Sequence, residues 1–160
     1  MLKRNILLTA FRGTSAEELL KGAECDRLLL SNDKVRDSEI LIKAVATGKY
    51  DYVICFGQRP HIKDKVHIET IARDGDFSID TGFDCEKLKV LFEQNGIVAP
   101  ISHNAGTSFC NRLYWNGLQY ILQNELDVKM VFVHIPFMKN ITEIERFNKK
   151  ILDGIEDMGK

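Results

Sequence analysis

The chain has 160 residues, of which 44 % are hydrophobic, and its 22 basic and 23 acidic side chains leave a net charge of -1. That is enough apolar material for the core of one domain, read as residues 1–160. The balanced charge without a basic block argues against a nucleic-acid partner, and no apolar run approaches the roughly 20 residues that cross a membrane.

The opening stretch MLKRNILLTAF holds two basic residues and a short apolar run without a cleavage-site pattern, so it reads as a first strand, Asn5–Phe11, rather than a leader. Ser15-Ala-Glu-Glu18 has the spacing of a capping box and starts a helix that Gly22 closes. Arg27–Leu30 is a second apolar run. Asp37 to Ala46 carries Ile40, Leu41, Ala44 and Val45 at helical spacing. Asp51–Phe56 is apolar enough for a strand buried on both faces, and Val66–Ala72 alternates like a further strand. Cys85–Gln94 is helical, Ile97–Ser102 strand-like, and Ser108–Gln123 a helix with Leu113, Leu118, Ile121 and Leu122 on one side. Lys129–Ile135 reads as a strand that Pro136 stops, and Ile141 to Met158 as a last helix. Alternating strands and helices predict an α/β fold, a sandwich of helices on both faces of a mostly parallel central sheet. In such folds chemistry gathers at the C-terminal ends of strands. The ends near Phe11, Gly57 and His134 and the 102–110 loop are therefore expected to share one neighbourhood.

Cys25, Cys55, Cys85 and Cys110 form no CxxC pair and have irregular spacing, which argues against a zinc site or a disulfide framework and for a reducing cytoplasm. Cys110 stands apart because a small Ala-Gly-Thr-Ser step leads into it at a helix start. There, free amides and the helix dipole would favour a thiolate with a depressed pKa and could cradle an oxyanion. On cysteine identity alone it reads first as a small buried hydrophobe. His134 leaves the C-terminal end of MVFVH, a place for a general base or for a locally satisfied ring. Glu69 lies among apolar neighbours in VHIETIA, either orienting an imidazole or facing solvent beside His67 and Ile71. A Cys–His–acid set can activate a nucleophile, although spacing alone does not select these three. His103 is the rival base, and a Cys110–His103–His134 metal site has no spacing to support it.

Four stretches resemble the type I pyroglutamyl peptidases, or pyrrolidone-carboxylate peptidases. ISHNAGTSFCN is similar to the family's nucleophile segment, FVHIPF to its histidine segment, VICFGQRP to its Gly-Gln loop and VHIETIA to its glutamate segment, all in the family's order. The resemblance implies a three-layer α/β/α sandwich, often a homotetramer, and a cytoplasmic cysteine exopeptidase needing no cofactor or metal. It implies that Cys110 attacks the pyroglutamyl carbonyl of a peptide, His134 shuttles the proton and Glu69 orients His134. Phe11, Gln58 and Phe109 are implied to contact substrate. The first loop, AFRGTSAEE, is shorter than the family's and keeps one aromatic. RDGDFSIDTGFD offers only Arg73 where the family brings a site arginine. The chain thus reads as a shortened member. The alternative is a relative that binds or hydrolyses another small lactam or N-blocked amide.

Overall fold

The computed structural model describes residues 3–160, and Met1 and Leu2 of the N-terminal stretch lie outside the described residues. The chain runs β1 (Ile6–Phe11), α1 (Ser15–Leu20), β2 (Asp26–Leu30), α2 (Lys34–Ala46), β3 (Tyr52–Arg59), β4 (His67–Glu69), β5 (Ile71–Asp74) and β6 (Phe77–Asp80). It continues with α3 (Cys85–Gln94), β7 (Ile101–Ser102), α4 (Phe109–Gln123), β8 (Lys129–Pro136) and α5 (Ile144–Met158). No helix among the described residues is long and apolar enough to cross a membrane.

Six strands form the central sheet in the order β2-β1-β3-β8-β4-β7. The first four are parallel. β4 is antiparallel to β8, and β7 runs with β4. Strand composition follows position. β1 is buried at every residue and β8 at all but its first, because helices cover both faces of the sheet. β2 lies at an edge, where exposed Asp26 and Arg27 discourage further strand pairing.

Alternation along the strands divides the core in two. Leu8, Ile54, Phe56 and Val133 face α1, α3 and α5. Leu7, Phe11, Cys55, Met130 and Phe132 face α2 and α4. The result is the three-layer sandwich with a mostly parallel sheet expected from the alternation. Asp33 caps α2 by accepting from Val35 N and Arg36 N, and Asp84 caps α3 by accepting from Lys87 N. In α5, Phe147, Ile151, Ile155 and Met158 make the buried stripe.

Three readings are corrected. Ser15 does not form a capping box: Thr14 is the N-cap without a side-chain bond, and the Ser15 hydroxyl donates to Pro136 O at 2.6 Å. The Val66–Ala72 run breaks at Thr70, whose N–H donates to Ser102 O while its carbonyl accepts from Thr81 N. The chain then leaves the main sheet for the β5–β6 hairpin. Ile97–Ser102 keeps only the two residues of β7, with an isolated bridge at Val98. Asn111 holds the hairpin to α4 by accepting from Arg73 N at 2.9 Å and donating to Arg73 O at 2.8 Å.

Candidate active site

Gly57 and His134 are register partners at the C-terminal ends of β3 and β8. Glu69 arrives from the other direction, on the antiparallel β4, with His67 opposite His134 and Glu69 opposite Phe132. The rule that chemistry collects at C-terminal strand ends places the histidine, while the carboxylate comes from the strand running back. Period-two alternation puts His67 and Glu69 on the same sheet face as His134, because Ile68 belongs to the opposite core.

Glu69 is completely buried, so the solvent-facing reading is excluded. Its Oε1 lies 2.9 Å from His134 Nδ1 and accepts from Arg59 Nη1 at 2.9 Å. Tyr114 Oη donates to the Glu69 backbone carbonyl at 2.8 Å and anchors that end of β4 to α4. Facing a carboxylate, Nδ1 of His134 is the donor, which leaves Nε2 as the free acceptor. His134 is 3 % exposed. Burial lowers its pKa below the ordinary histidine value; the hydrogen bond to Glu69 opposes this, and the Arg59 cation adds to it.

Cys110 is the second residue of α4, behind the Ser108 N-cap. Its sulfur lies against Gly57, so close that a Cβ at position 57 would come within 2.6 Å of Sγ. Among the described residues no protein acceptor takes the N–H groups of Phe109, Cys110 and Asn111, as expected in a first helical turn. The expectation of a depressed thiol is overturned. Cys110 is 8 % exposed, and burial pushes its pKa up to about 12, with the Arg59 cation only partly offsetting this. The cost of charging a desolvated sulfur exceeds the pull of a helix terminus, which carries about half an elementary charge.

The remaining candidates divide. Phe11 ends β1, is buried, and packs in the same core as Cys110. Phe109 is half-exposed beside Cys110, with Lys34 Nζ 5.2 Å from its ring centroid. Gln58 turns its side chain to the opposite sheet face, where Oε1 accepts from Ser15 N at 3.1 Å and holds α1. His103 is exposed and pairs through Nδ1 with Thr70 Oγ1 at 2.7 Å. It is thereby engaged on β4's far edge and is not part of the His134–Glu69 pair. Among the described residues, the hydrogen bonds of Arg73 to α4 are its two backbone bonds to Asn111.

Arg59 was not singled out by the sequence reading, although it lies in VICFGQRP. The available signal was its place two residues beyond Gly57, on the same strand face. A cavity of about 370 Å³ opens against Arg59, His67, Ser102 and Asn104. A larger one of about 590 Å³ lies on the other sheet face, between α1 and α5, and holds none of the candidate residues. The chemistry is therefore located by the side chains rather than by cavity size.

A model of the pyroglutamyl peptidase family matches residues 65–151, more than half of the chain. A pyrrolidone-carboxylate peptidase of Bacillus licheniformis is 26 % identical over 174 residues, covering 87 % of this chain and 81 % of its own. One from a Thermoanaerobacter species is 27 % identical over 168 residues, covering 83 % and 82 %. Among solved structures, pyroglutamyl peptidase I of Bacillus amyloliquefaciens superposes with a TM-score of 0.83 at 18 % identity, over 97 % of this chain and 95 % of that one. The pyrrolidone carboxyl peptidase of Thermococcus litoralis gives 0.78 at 19 % identity, over 96 % and 92 %. At these identities the superpositions speak to the fold.

Proposed function

The chain belongs to the pyroglutamyl peptidase family, and from that premise we propose that it is a cysteine exopeptidase removing an N-terminal pyroglutamyl residue from peptides, with Cys110 as nucleophile, His134 as base and Glu69 orienting the base. The observation that carries this reading is the buried His134 Nδ1–Glu69 Oε1 bond at 2.9 Å, which fixes the ring with Nε2 free on the sheet face that Cys110 covers.

The raised thiol sets the order of events. Cys110 rests as S–H, so its proton passes to His134 Nε2 as Sγ attacks the pyroglutamyl carbonyl. Negative charge then develops on the carbonyl oxygen, and the free amides of the first turn of α4 are the nearby donors. The imidazolium, balanced by Glu69, returns the proton to the leaving amine as the C–N bond breaks. A water molecule, deprotonated by His134, then cleaves the thioester, releasing pyroglutamate and restoring Cys110. Phe11, in the same core as Cys110, and Phe109, the residue before it, are the aromatic side chains this reading assigns to the lactam ring. All four cysteines are free thiols, which supports a reducing, cytoplasmic setting.

The position of the Gln58 side chain favours a second reading, in which the same frame accepts a different N-blocked amide. Hydrolysis of pyroglutamyl-aminocoumarin by the purified protein and by Cys110→Ser tests both. Turnover by the wild type and its loss in a folded variant establish the peptidase. Hydrolysis of acetyl- or formyl-aminoacyl coumarins with none of the pyroglutamyl substrate selects the second reading.

A further inference from the structure

We propose that Arg59 is a positioning residue of this site, its guanidinium fastening the segment that leads into Cys110 to the Glu69–His134 pair. The inference deepens the peptidase reading and rests on it.

Arg59 ends β3, two residues beyond Gly57, and projects from the face that carries His134 and Glu69. One arm of the guanidinium, Nη1, donates to Glu69 Oε1 at 2.9 Å. The other, Nη2, donates to the carbonyl of Asn104. Nη1 also lies 3.2 Å from His67 Nδ1. A guanidinium only donates, so His67 accepts through Nδ1 and is neutral. Consistently, the pKa of His67 is lowered, first by burial and then by Arg59.

The other hydrogen bonds of the 104–108 segment are local. Asn104 N donates to Ser102 Oγ, and Gly106 N donates to Asn104 Oδ1. Among the described residues the bond from Arg59 is the one side-chain hydrogen bond joining this segment to β3 and β4. Gly106 has φ +86°, a conformation other residues rarely adopt, so the segment's path depends on what holds its two ends. One end enters α4 and Cys110, and the other is held by Arg59. A rigid planar fork spans two acceptors, whereas a lysine offers a single point of charge.

The clamp is also a fixed cation. The titratable and charged groups around His134 are Glu69 and His67 on β4, Arg59 on β3 and Cys110 on α4 above Gly57. Arg59 pulls the pKa of both His134 and Cys110 downward. Losing it lets both rise.

Arg59→Gln and Arg59→Lys in the full chain test the proposal by three readouts. These are the His134 imidazole titration by NMR, amide hydrogen exchange across 104–108, and kcat and KM on pyroglutamyl-aminocoumarin. Arg59→Gln is expected to raise the His134 midpoint, to speed exchange across 104–108, and to lower kcat at least about tenfold with a smaller change in KM. Arg59→Lys is expected to restore the midpoint but neither the exchange protection nor kcat. Wild-type exchange and kcat in Arg59→Lys overturn the positioning role, and they do so even if Arg59→Gln fails to fold. A lowered melting temperature with unmoved midpoint and exchange marks a merely structural ion pair and overturns it too. If the wild type hydrolyses no pyroglutamyl substrate, the peptidase reading fails on that result alone, while titration and exchange still decide the role of Arg59.

Discussion

Cys110 Sγ occupies the space that any side chain on Gly57 would need, since a Cβ there would lie 2.6 Å from the sulfur and 2.8 Å from Phe132 Cζ. Both neighbours are buried and neither is the end of a long flexible chain. Gly57→Ala is therefore expected to cost about 1–3 kcal/mol through overpacking. At about 2–4 °C per kcal/mol for a domain of this size, its melting temperature should fall by several degrees. Displacing the sulfur should also lower kcat. Thermal melts and steady-state kinetics check both, and an unaltered variant would show that the sulfur has room to move.

The raised thiol reverses the labelling order expected from a helix start. Cys25 is only half-buried, whereas Cys110, Cys85 and Cys55 are buried. Iodoacetamide should label Cys25 first in the resting protein, and labelling of Cys110 should keep climbing well above pH 8.5, the midpoint of an ordinary thiol. Peptide mapping after timed alkylation reads this. Rapid labelling of Cys110 at pH 7 would mean a preformed thiolate and would remove the general-base step.

His134 and His67 both titrate below the ordinary histidine value of about 6.5, each chiefly because of burial. In the unfolded chain they take up protons near that value, while the folded chain resists until lower pH. Their contribution to stability is therefore present above about pH 6.5 and is lost as pH falls through the lowered folded values. Urea unfolding at pH 7.5 and pH 5 should show the loss, and His134→Gln should make it smaller. The acid limb of kcat/KM should lie below 6.5 for the same reason.

Glu69→Gln keeps an acceptor for His134 Nδ1 and Arg59 but removes the charge that balances the imidazolium. The fold should persist by circular dichroism while kcat falls on the order of 10²- to 10⁴-fold. Activity within a factor of a few of wild type would show that the carboxylate is not needed.

The layers of the fold were legible because periodicity reports burial directly. β1 and β8 are apolar throughout, and α5 repeats its core residues at helical spacing. Cys110, His134 and Glu69 stand out in the sequence only as a set in family order, since each alone has an ordinary structural explanation. Three features were hidden. The break at Thr70 depends on Ser102 and Thr81, which are distant in sequence, and no local pattern announces it. The direction of the Gln58 side chain follows from strand parity once β3 is known to extend past Phe56 to Arg59. The thiol's raised pKa comes from its burial, with the sulfur lying against Gly57, which a helix-start argument does not contain.

β8 is the last strand in chain order, yet it lies between β3 and β4, joining a β2-β1-β3 half to a β4-β7 half. Until it inserts, both halves present open edges and Glu69 has no histidine beside it. Closing the sheet and completing the His134–Glu69 pair are one event, separated from Glu69 by 65 residues of sequence. A chain emerging from synthesis therefore gains the proposed site only when its central sheet is closed. In the proposed reading, intermediates that meet peptides before then have no assembled site with which to cut them.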